Sequence, residues 1–411
     1  MKITEVECIL LTVPAKWAAG VRAQNFSLVR VKTDAGIVGW GETLAGYYVP
    51  EIVPALVAHY REVVLGRNPL EINRLWQEMF VKSVRWGHTG TAITVLGAIE
   101  MALWDILGRA LGVPVSQLLG GAIHDRMRCY ASTGAPAYPF QRTLDHAKEL
   151  ADQGFTALKT GQGLLGRPQP LAVAPFVEQE RAKIAALRQA LGADVDLMLD
   201  PATPFSRSPW PVDLALQIVK ALDDFNLLWV EQPLLQTNVD DYVRLRQFVR
   251  TPLAAGENGT TLHDFKLFLE KRAIDVVQPD AAWCGGIGEM VRIIAAAEAR
   301  DMRVAPHCFS SAVGLAANYH VAFATRSCFI VELPTSSNPM VRDLITSIFP
   351  YKNGYLSPSQ APGLGVEITD EMIARYPFVP GTGMSHARSP YPKPVPEGFV
   401  ERLASESLLP W

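Results

Sequence analysis

The chain has 411 residues, 49% of them hydrophobic and 19% charged, with a formal net charge of −3 and a pI near 6.3. That balance excludes a disordered chain and offers no basic footprint for nucleic acid, while the length suits two structural units, one large enough for a barrel. An acidic substrate would have to be met by a metal or by a few placed basic residues.

The N-terminal stretch MKITEVECILLTVPAKW has charges among its apolar residues and lacks the apolar core of a signal peptide. No apolar run in the sequence approaches the length of a membrane span. The cysteines Cys8, Cys129, Cys284, Cys308 and Cys328 are scattered without CxxC spacing, which reads as reduced, buried thiols. A soluble, cytoplasmic protein with no membrane partner is expected.

Residues 2–13 and 26–33 alternate apolar and polar side chains over strand lengths, and 37–43 (IVGWGET) completes a hairpin after the Asp34-Ala35-Gly36 turn. Helical spacing follows over 51–65, 69–82 and 90–111, the last ending at Gly112. Strands followed by helices predict a separate α+β unit over 1–120. Beyond Gly120-Gly121 the pattern becomes strict alternation. Strand-like runs occur at 126–133, 156–161, 196–201, 227–233, 252–257, 273–280, 303–309 and 329–334, with helical segments between them. Eight such units over 121–345 predict an α/β fold of the (β/α)₈ TIM-barrel type. An open doubly wound sheet would want a glycine-rich phosphate loop opening a helix. GQGLLG (161–166) has the letters, but Arg167-Pro168-Gln169-Pro170 follows and no helix opens there. Residues 346–411 are expected to return to the first unit and to end in a Pro/Gly-rich tail.

Most of the strand-like runs in the second half close on an ionisable residue. Asp200, Glu231 and Glu257 end the third, fourth and fifth barrel strands, so three neighbouring strands would aim carboxylates at one point of the barrel mouth. Clustered carboxylates repel, and a shared hard cation such as Mg²⁺ resolves the repulsion. Any one of these acids alone would be better read as a helix cap or a surface charge. Asp280 and His307 close the next two strands, and a carboxylate beside an imidazole suits a general base, although a structural hydrogen bond between such a pair is also common. Glu332 closes the eighth strand, placed to exchange a proton with a substrate.

The ordered set Asp200, Glu231, Glu257, Asp280, His307 and Glu332 resembles that of the enolase superfamily, specifically its mandelate racemase subgroup. From Glu231 through Glu257 and Asp280 to His307 the separations are 26, 23 and 27 residues, in agreement with that subgroup. The DAGIVGWGET hairpin and the segment MALWDILGRALGVPVSQLLGG before the barrel are similar to its capping domain. The resemblance implies one Mg²⁺ on Asp200, Glu231 and Glu257, and removal of the proton α to a substrate carboxylate to give an enediolate. It implies His307 as base, Asp280 as its orienter and Glu332 as a hydrogen-bond partner of the substrate.

Two departures from the family pattern stand out. The second barrel strand carries Lys-x-Lys in the family, and here reads Lys159-Thr160-Gly161, so the second base is missing. Ala202 stands where an Asn often follows the first ligand. Racemisation needs groups on both faces of one carbon, whereas elimination of water from one face needs only one. The reading is therefore a hydro-lyase that dehydrates an aldonate or aldarate. A cycloisomerase acting on a sugar-acid lactone or anhydro-sugar acid is the alternative, and an epimerase is less favoured. A small-acid binding protein without turnover is the reading from a different class. Lys159 could bind the substrate carboxylate or simply partner a metal carboxylate. Trp17, Arg22, Tyr47 and Tyr48, in capping-unit loops expected around 15–25 and 44–50, are substrate-contact candidates by position only. A homo-oligomer is expected.

Overall fold

A computed structural model describes residues 1–17, 20–134, 140–161, 172–201 and 210–384. Its first sheet is antiparallel, Ile3–Trp17 (β1), Gly20–Thr33 (β2) and Val38–Thr43 (β3), paired in that order. In the stretch 15–25, expected as a loop, residues 15–17 and 20–25 instead continue the hairpin, with pairing out to Trp17↔Gly20. Tertiary contact explains the difference. The arm is pinned to the chain after the last barrel strand, where Lys16 and Ser337 exchange backbone hydrogen bonds of 3.0 Å and Asn338 Nδ2 donates to Gln24 Oε1. Helices Ala45–Tyr48 (α1), Val53–Val64 (α2), Ile72–Gly87 (α3), Thr91–Leu111 (α4) and Val115–Leu118 (α5) complete the first unit.

The sheet lies directly on α4 because β3 presents glycine there at 39 and 41, and Thr43, next on that face, donates its hydroxyl to Thr94 Oγ1 of α4 (2.9 Å). A Cβ at Gly39 would stand 2.2 Å from Ala102 O, and one at Gly41 would stand 1.8 Å from Ala98 O. Trp40 and Glu42 therefore point the other way, as strand periodicity demands. Helix α4 is long and apolar enough to cross a membrane, with a mean hydropathy of 1.5, contrary to the expectation that no run approached this. Its apolarity has another cause: 83% of that window is buried between the sheet, the other helices and the barrel.

The barrel is built from Met127–Ser132 (β4), Gln141–Asp152 (α6), Ala157–Gly161 (β5), Val173–Leu191 (α7), Asp196–Asp200 (β6) and Val212–Leu222 (α8). It continues through Trp229–Glu231 (β7), Val239–Phe248 (α9), Leu253–Ala255 (β8), Thr261–Glu270 (α10) and Val276–Val277 (β9). Ala281–Cys284 (α11), Ile287–Glu298 (α12), Arg303–Val304 (β10), Ala312–Ala324 (α13) and Val331–Pro334 (β11) finish it. Parallel pairing runs from β4 through β10, β11 pairs back onto β4, and a bridge between Val304 and Cys328 joins the ends. One ring of the interior takes a buried residue from each strand run: Tyr130, Ala157, Met198, Trp229, Ala254, Val276, Ala305 and Ile330. Strand periodicity puts the residues two positions further on in the next layer, at the mouth. Those residues are Ser132, Lys159, Asp200, Glu231, Gln278, His307 and Glu332, with glycine at 256.

The remaining elements are Arg342–Ile348 (α14), Tyr351–Lys352 (β12), Tyr355–Leu356 (β13) and Asp370–Arg375 (α15). Strand β13 pairs with β4 of the barrel, while Leu11↔Pro377 and Pro114↔Gly363 bridges tie the following segment to the first unit. The C-terminal segment thus meets both units. We propose the division at 1–120, 121–345 and the segment beyond. Four of the five free cysteines are buried, and Cys8 is half-buried.

One buried imidazole gives the fold a pH signature. His320 Nδ1 accepts from Ser116 N (3.3 Å), so Nε2 carries the proton and donates to Leu364 O (3.3 Å). With both nitrogens committed, burial pushes its pKa from 6.5 down to about 4. The unfolded chain therefore binds a proton that the folded one refuses between those values, and stability falls as pH falls through that window. The loss attributable to this residue is on the order of 3 kcal/mol at pH 4. Urea unfolding at pH 7 and pH 4.5 should show a smaller decrement in His320→Gln than in the wild type. Equal decrements would contradict the assignment.

Candidate active site

Each acid at the barrel mouth is held by specific neighbours. Glu231, at the end of β7, is fully buried and takes donors from Lys159 Nζ (2.7 Å on Oε1), Trp229 Nε1 (3.0 Å) and Gln278 Nε2 (2.8 Å, both on Oε2). Lys159 Nζ also lies 3.2 Å from Glu332 Oε1 and 3.7 Å from Asp200 Oδ2, above the ring of Tyr130. Burial alone would lower the lysine's pKa, but Glu231 and Glu332 outweigh it and hold it well above its ordinary value. It is a permanent cation. Glu332 behaves conversely. Burial pushes it up, but Lys159, His307 and the Ser132 hydroxyl together with Cys308 N (2.9 Å) keep its carboxyl below the usual range.

His307 sits against Asp280, with Nδ1 to Oδ2 at 2.8 Å. The other carboxylate oxygen of Asp280 accepts from Ala282 N (2.8 Å) and Asn318 Nδ2 (2.9 Å). Those donors leave Asp280 no reason to rotate, so it fixes the Nδ1–H tautomer and turns Nε2 toward the mouth. Nε2 lies 3.4 Å from Glu257 Oε2. Burial opposes protonation of the ring, but Glu257, Asp280 and Glu332 together push its pKa up. Burial, with Asp200 and Glu231 nearby, also pushes Glu257 up against the opposing pull of His307. For His307 to accept a proton at neutral pH, the charge on Glu257 must be compensated by something other than His307.

The structure thus brings Lys159, Glu231, Asp200 and Glu332 into one cluster, and His307, Asp280 and Glu257 into a second that adjoins it. Tyr47 packs edge-on against Phe309, two residues from His307, at 5.1 Å between ring centres. Tyr48 meets Trp283 at 5.8 Å. Arg22 is exposed on the β1–β2 arm, outside the hydrogen-bonded clusters, and the side chain of Trp17 lies outside what the structure describes. Residues 162–171 and 202–209, with Ala202, also lie outside it. At Gly161 the strand ends without a side chain, and its carbonyl accepts from Lys183 Nζ (2.6 Å) of α7. Sequence reasoning missed Ser132, Gln278 and Asn318. Gln278 was available, because it shares a face with Asp280 at a spacing of two. Asn318 lies mid-helix and carries no local signal.

The donor chemistry can be tested against a cation. Among the described residues, Asp200, Glu231, Glu257, Asp280 and Glu332 share the mouth with two basic groups, Lys159 and His307, so negative charge is in excess there even with the imidazole protonated. Asp200, Glu231 and Glu257 are hard oxygen donors on adjacent strands, and the upward push on Glu257 is what an uncompensated cluster produces. Among the described residues no three ligating side chains are already arranged around an ion, as Lys159 lies between the acids and Glu257 faces His307. The set fits a divalent cation by charge and by donor type.

A closed (β/α)₈ barrel with a capping sheet and acids on successive strand ends defines a class, and comparison with known proteins identifies it. Residues 2–120 match the mandelate racemase/muconate lactonizing enzyme N-terminal domain, and 142–372 the enolase C-terminal domain-like family. A D-galactonate dehydratase of Verminephrobacter eiseniae is 33% identical over 91% of this chain and 94% of its own. Another, from Xanthomonas oryzae pv. oryzae, is 34% identical over 86% and 91%. The crystal structure of the 3,6-anhydro-D-galactonate cycloisomerase from Zobellia galactanivorans superposes with a TM-score of 0.80 at 27% identity, covering 92% of this chain and 99% of that one. The chain belongs to the enolase superfamily, in its mandelate racemase subgroup, and is an enzyme.

The central lysine gives a direct test. In Lys159→Met, Glu231 and Glu332 lose their buried counter-charge, which should cost about 3–5 kcal/mol in denaturant unfolding without metal. Saturating Mg²⁺ should recover part of that loss. An unchanged unfolding midpoint would show that the lysine does not neutralise the cluster.

Proposed function

We propose that this enzyme abstracts the proton α to the carboxylate of an aldonate or aldarate and expels the β-hydroxyl, giving a 2-keto-3-deoxy acid. The observation that carries the proposal is the pairing of one oriented imidazole, His307 on Asp280, with a side-chain-free Gly161 where a second base would stand. Asp200, Glu231 and Glu257 would hold Mg²⁺. When bound, the ion supplies positive charge beside the substrate carboxylate, which lowers the energy of the developing enediolate.

The side chains supply the rest. His307 Nε2 takes the α-proton while Asp280 stabilises the imidazolium. Lys159 adds fixed positive charge next to the carboxylate, and the ionised Glu332 accepts a hydrogen bond from the substrate. The imidazolium then returns its proton to a leaving hydroxyl on the same face, so one group serves as base and acid. Relatives named as D-galactonate dehydratases support this chemistry. A cycloisomerase also needs only one base, and the structural similarity to a 3,6-anhydro-D-galactonate cycloisomerase favours it as the second reading. Epimerisation is disfavoured by the missing opposite base. A binding protein without turnover would have no use for an imidazole held in one tautomer.

A panel of aldonic and aldaric acids, beginning with D-galactonate, should yield a 2-keto acid in Mg²⁺ and none after EDTA. Consumption of a lactone or anhydro-sugar acid, with no acid sugar dehydrated, would replace this reading by the cycloisomerase. Glu231→Gln should weaken Mg²⁺ binding at least about tenfold by calorimetry. Unaltered affinity would mean that the ligands lie elsewhere.

A further inference from the structure

The GWGET strand, singled out in the sequence but given no task in the chemistry above, runs from the first unit straight to the dyad. Glu42, 1% exposed, accepts Ser311 N (2.9 Å) on Oε1, and Ser311 Oγ (2.5 Å) and Gly314 N (2.9 Å) on Oε2. It thereby caps the N-terminus of α13, the helix after the His307 strand. That helix carries Asn318, whose Nδ2 donates both to Asp280 Oδ1 (2.9 Å) and to the backbone oxygen of His307 (3.2 Å). Two residues beyond Glu42, Leu44 N donates to Ala282 O (3.0 Å), and Ala282 N is a donor to Asp280. Tyr47 and Tyr48 then meet Phe309, two residues after His307, and Trp283, in the short helix α11 that Asp280 caps.

One continuous stretch, 42–48, therefore grips both loops of the dyad by polar and aromatic contacts. We propose that Glu42 is a positioning residue for the reaction, setting through α13 and Asn318 the geometry in which His307 and Asp280 meet. Docking of the capping unit then completes the base rather than only covering it. This rests on the reading of His307 as base.

Glu100 supplies a matched control. It too is a buried glutamate from the capping unit that caps a barrel helix, accepting from Ile287 N and Gly288 N (both 2.8 Å) at the start of α12. A purely structural role predicts that Glu42→Gln and Glu100→Gln behave alike. The experiment measures melting temperature, kcat and KM on D-galactonate with Mg²⁺, and the downfield proton resonance of His307 Nδ1–H, assigned by its absence in His307→Asn. Both glutamine variants should melt lower. Only Glu42→Gln should lose about tenfold or more in kcat, with KM within about twofold and the Nδ1–H resonance displaced. Should Glu42→Gln not fold, Ser311→Ala removes a donor from the other side and is read in the same way. A Glu42→Gln or Ser311→Ala enzyme with wild-type kcat and resonance overturns the proposal, as does equal loss of kcat in Glu100→Gln. Wild-type turnover by His307→Asn would sink the reading of the base instead. If D-galactonate is not turned over, the resonance alone decides.

Discussion

Negative charge buried at the barrel mouth is the constraint on which the rest depends. Five carboxylates stand at or just beyond strand ends, all of them buried except the half-buried Asp200, and like charges cannot coexist there without compensation. Among the described residues, the answer is a buried lysine whose positive charge its neighbours favour. Lys159 sits among Glu231, Glu332 and Asp200, while Asp280 accepts from Ala282 N and Asn318 Nδ2 and Glu332 accepts from Cys308 N. Glu257 faces His307, whose own protonation it favours, and takes a long contact of 3.5 Å from Asn258 Nδ2. A divalent cation shared with Glu257 would settle the charge of the acids and free the imidazole to accept a proton. On the function proposed above, the same excess of negative charge suits the site to a divalent cation, and with it to a developing enediolate.

Placement follows from the barrel. An apolar ring with one residue from each strand run fills the interior, and the period of two puts the polar ring directly above it. The capping unit then reaches over that mouth twice, through the β1–β2 arm at Ser337 and through the stretch 42–48. The glycines of β3 make the second reach possible. By letting α4 lie against one face of the strand, they leave Glu42 on the other, directed at the barrel.

Much of this was legible in the sequence because it depends on strand ends. Period-two runs closing on ionisable residues place Asp200, Glu231, Asp280, His307 and Glu332 at one rim, and the missing side chain at Gly161 is read without coordinates. Other features depend on contacts between distant segments, which no local pattern encodes. The arm over 15–25 reads as a loop because its pairing is stabilised by Ser337. Asn318 and Glu42 are unremarkable polar residues until α13 brings them to the dyad. Lys159 was read as a substrate or metal-carboxylate partner, but its span of three acids depended on strand packing. Helix α4 reads as one more amphipathic helix because burial on nearly all sides is a tertiary fact.

The proposed reaction has one base, His307, working from one face of the substrate. In D₂O with Mg²⁺, the wild-type enzyme should exchange or consume the C2 proton of its acid-sugar substrate, followed by proton NMR, while His307→Asn leaves that signal intact. Exchange at the wild-type rate in His307→Asn would contradict it.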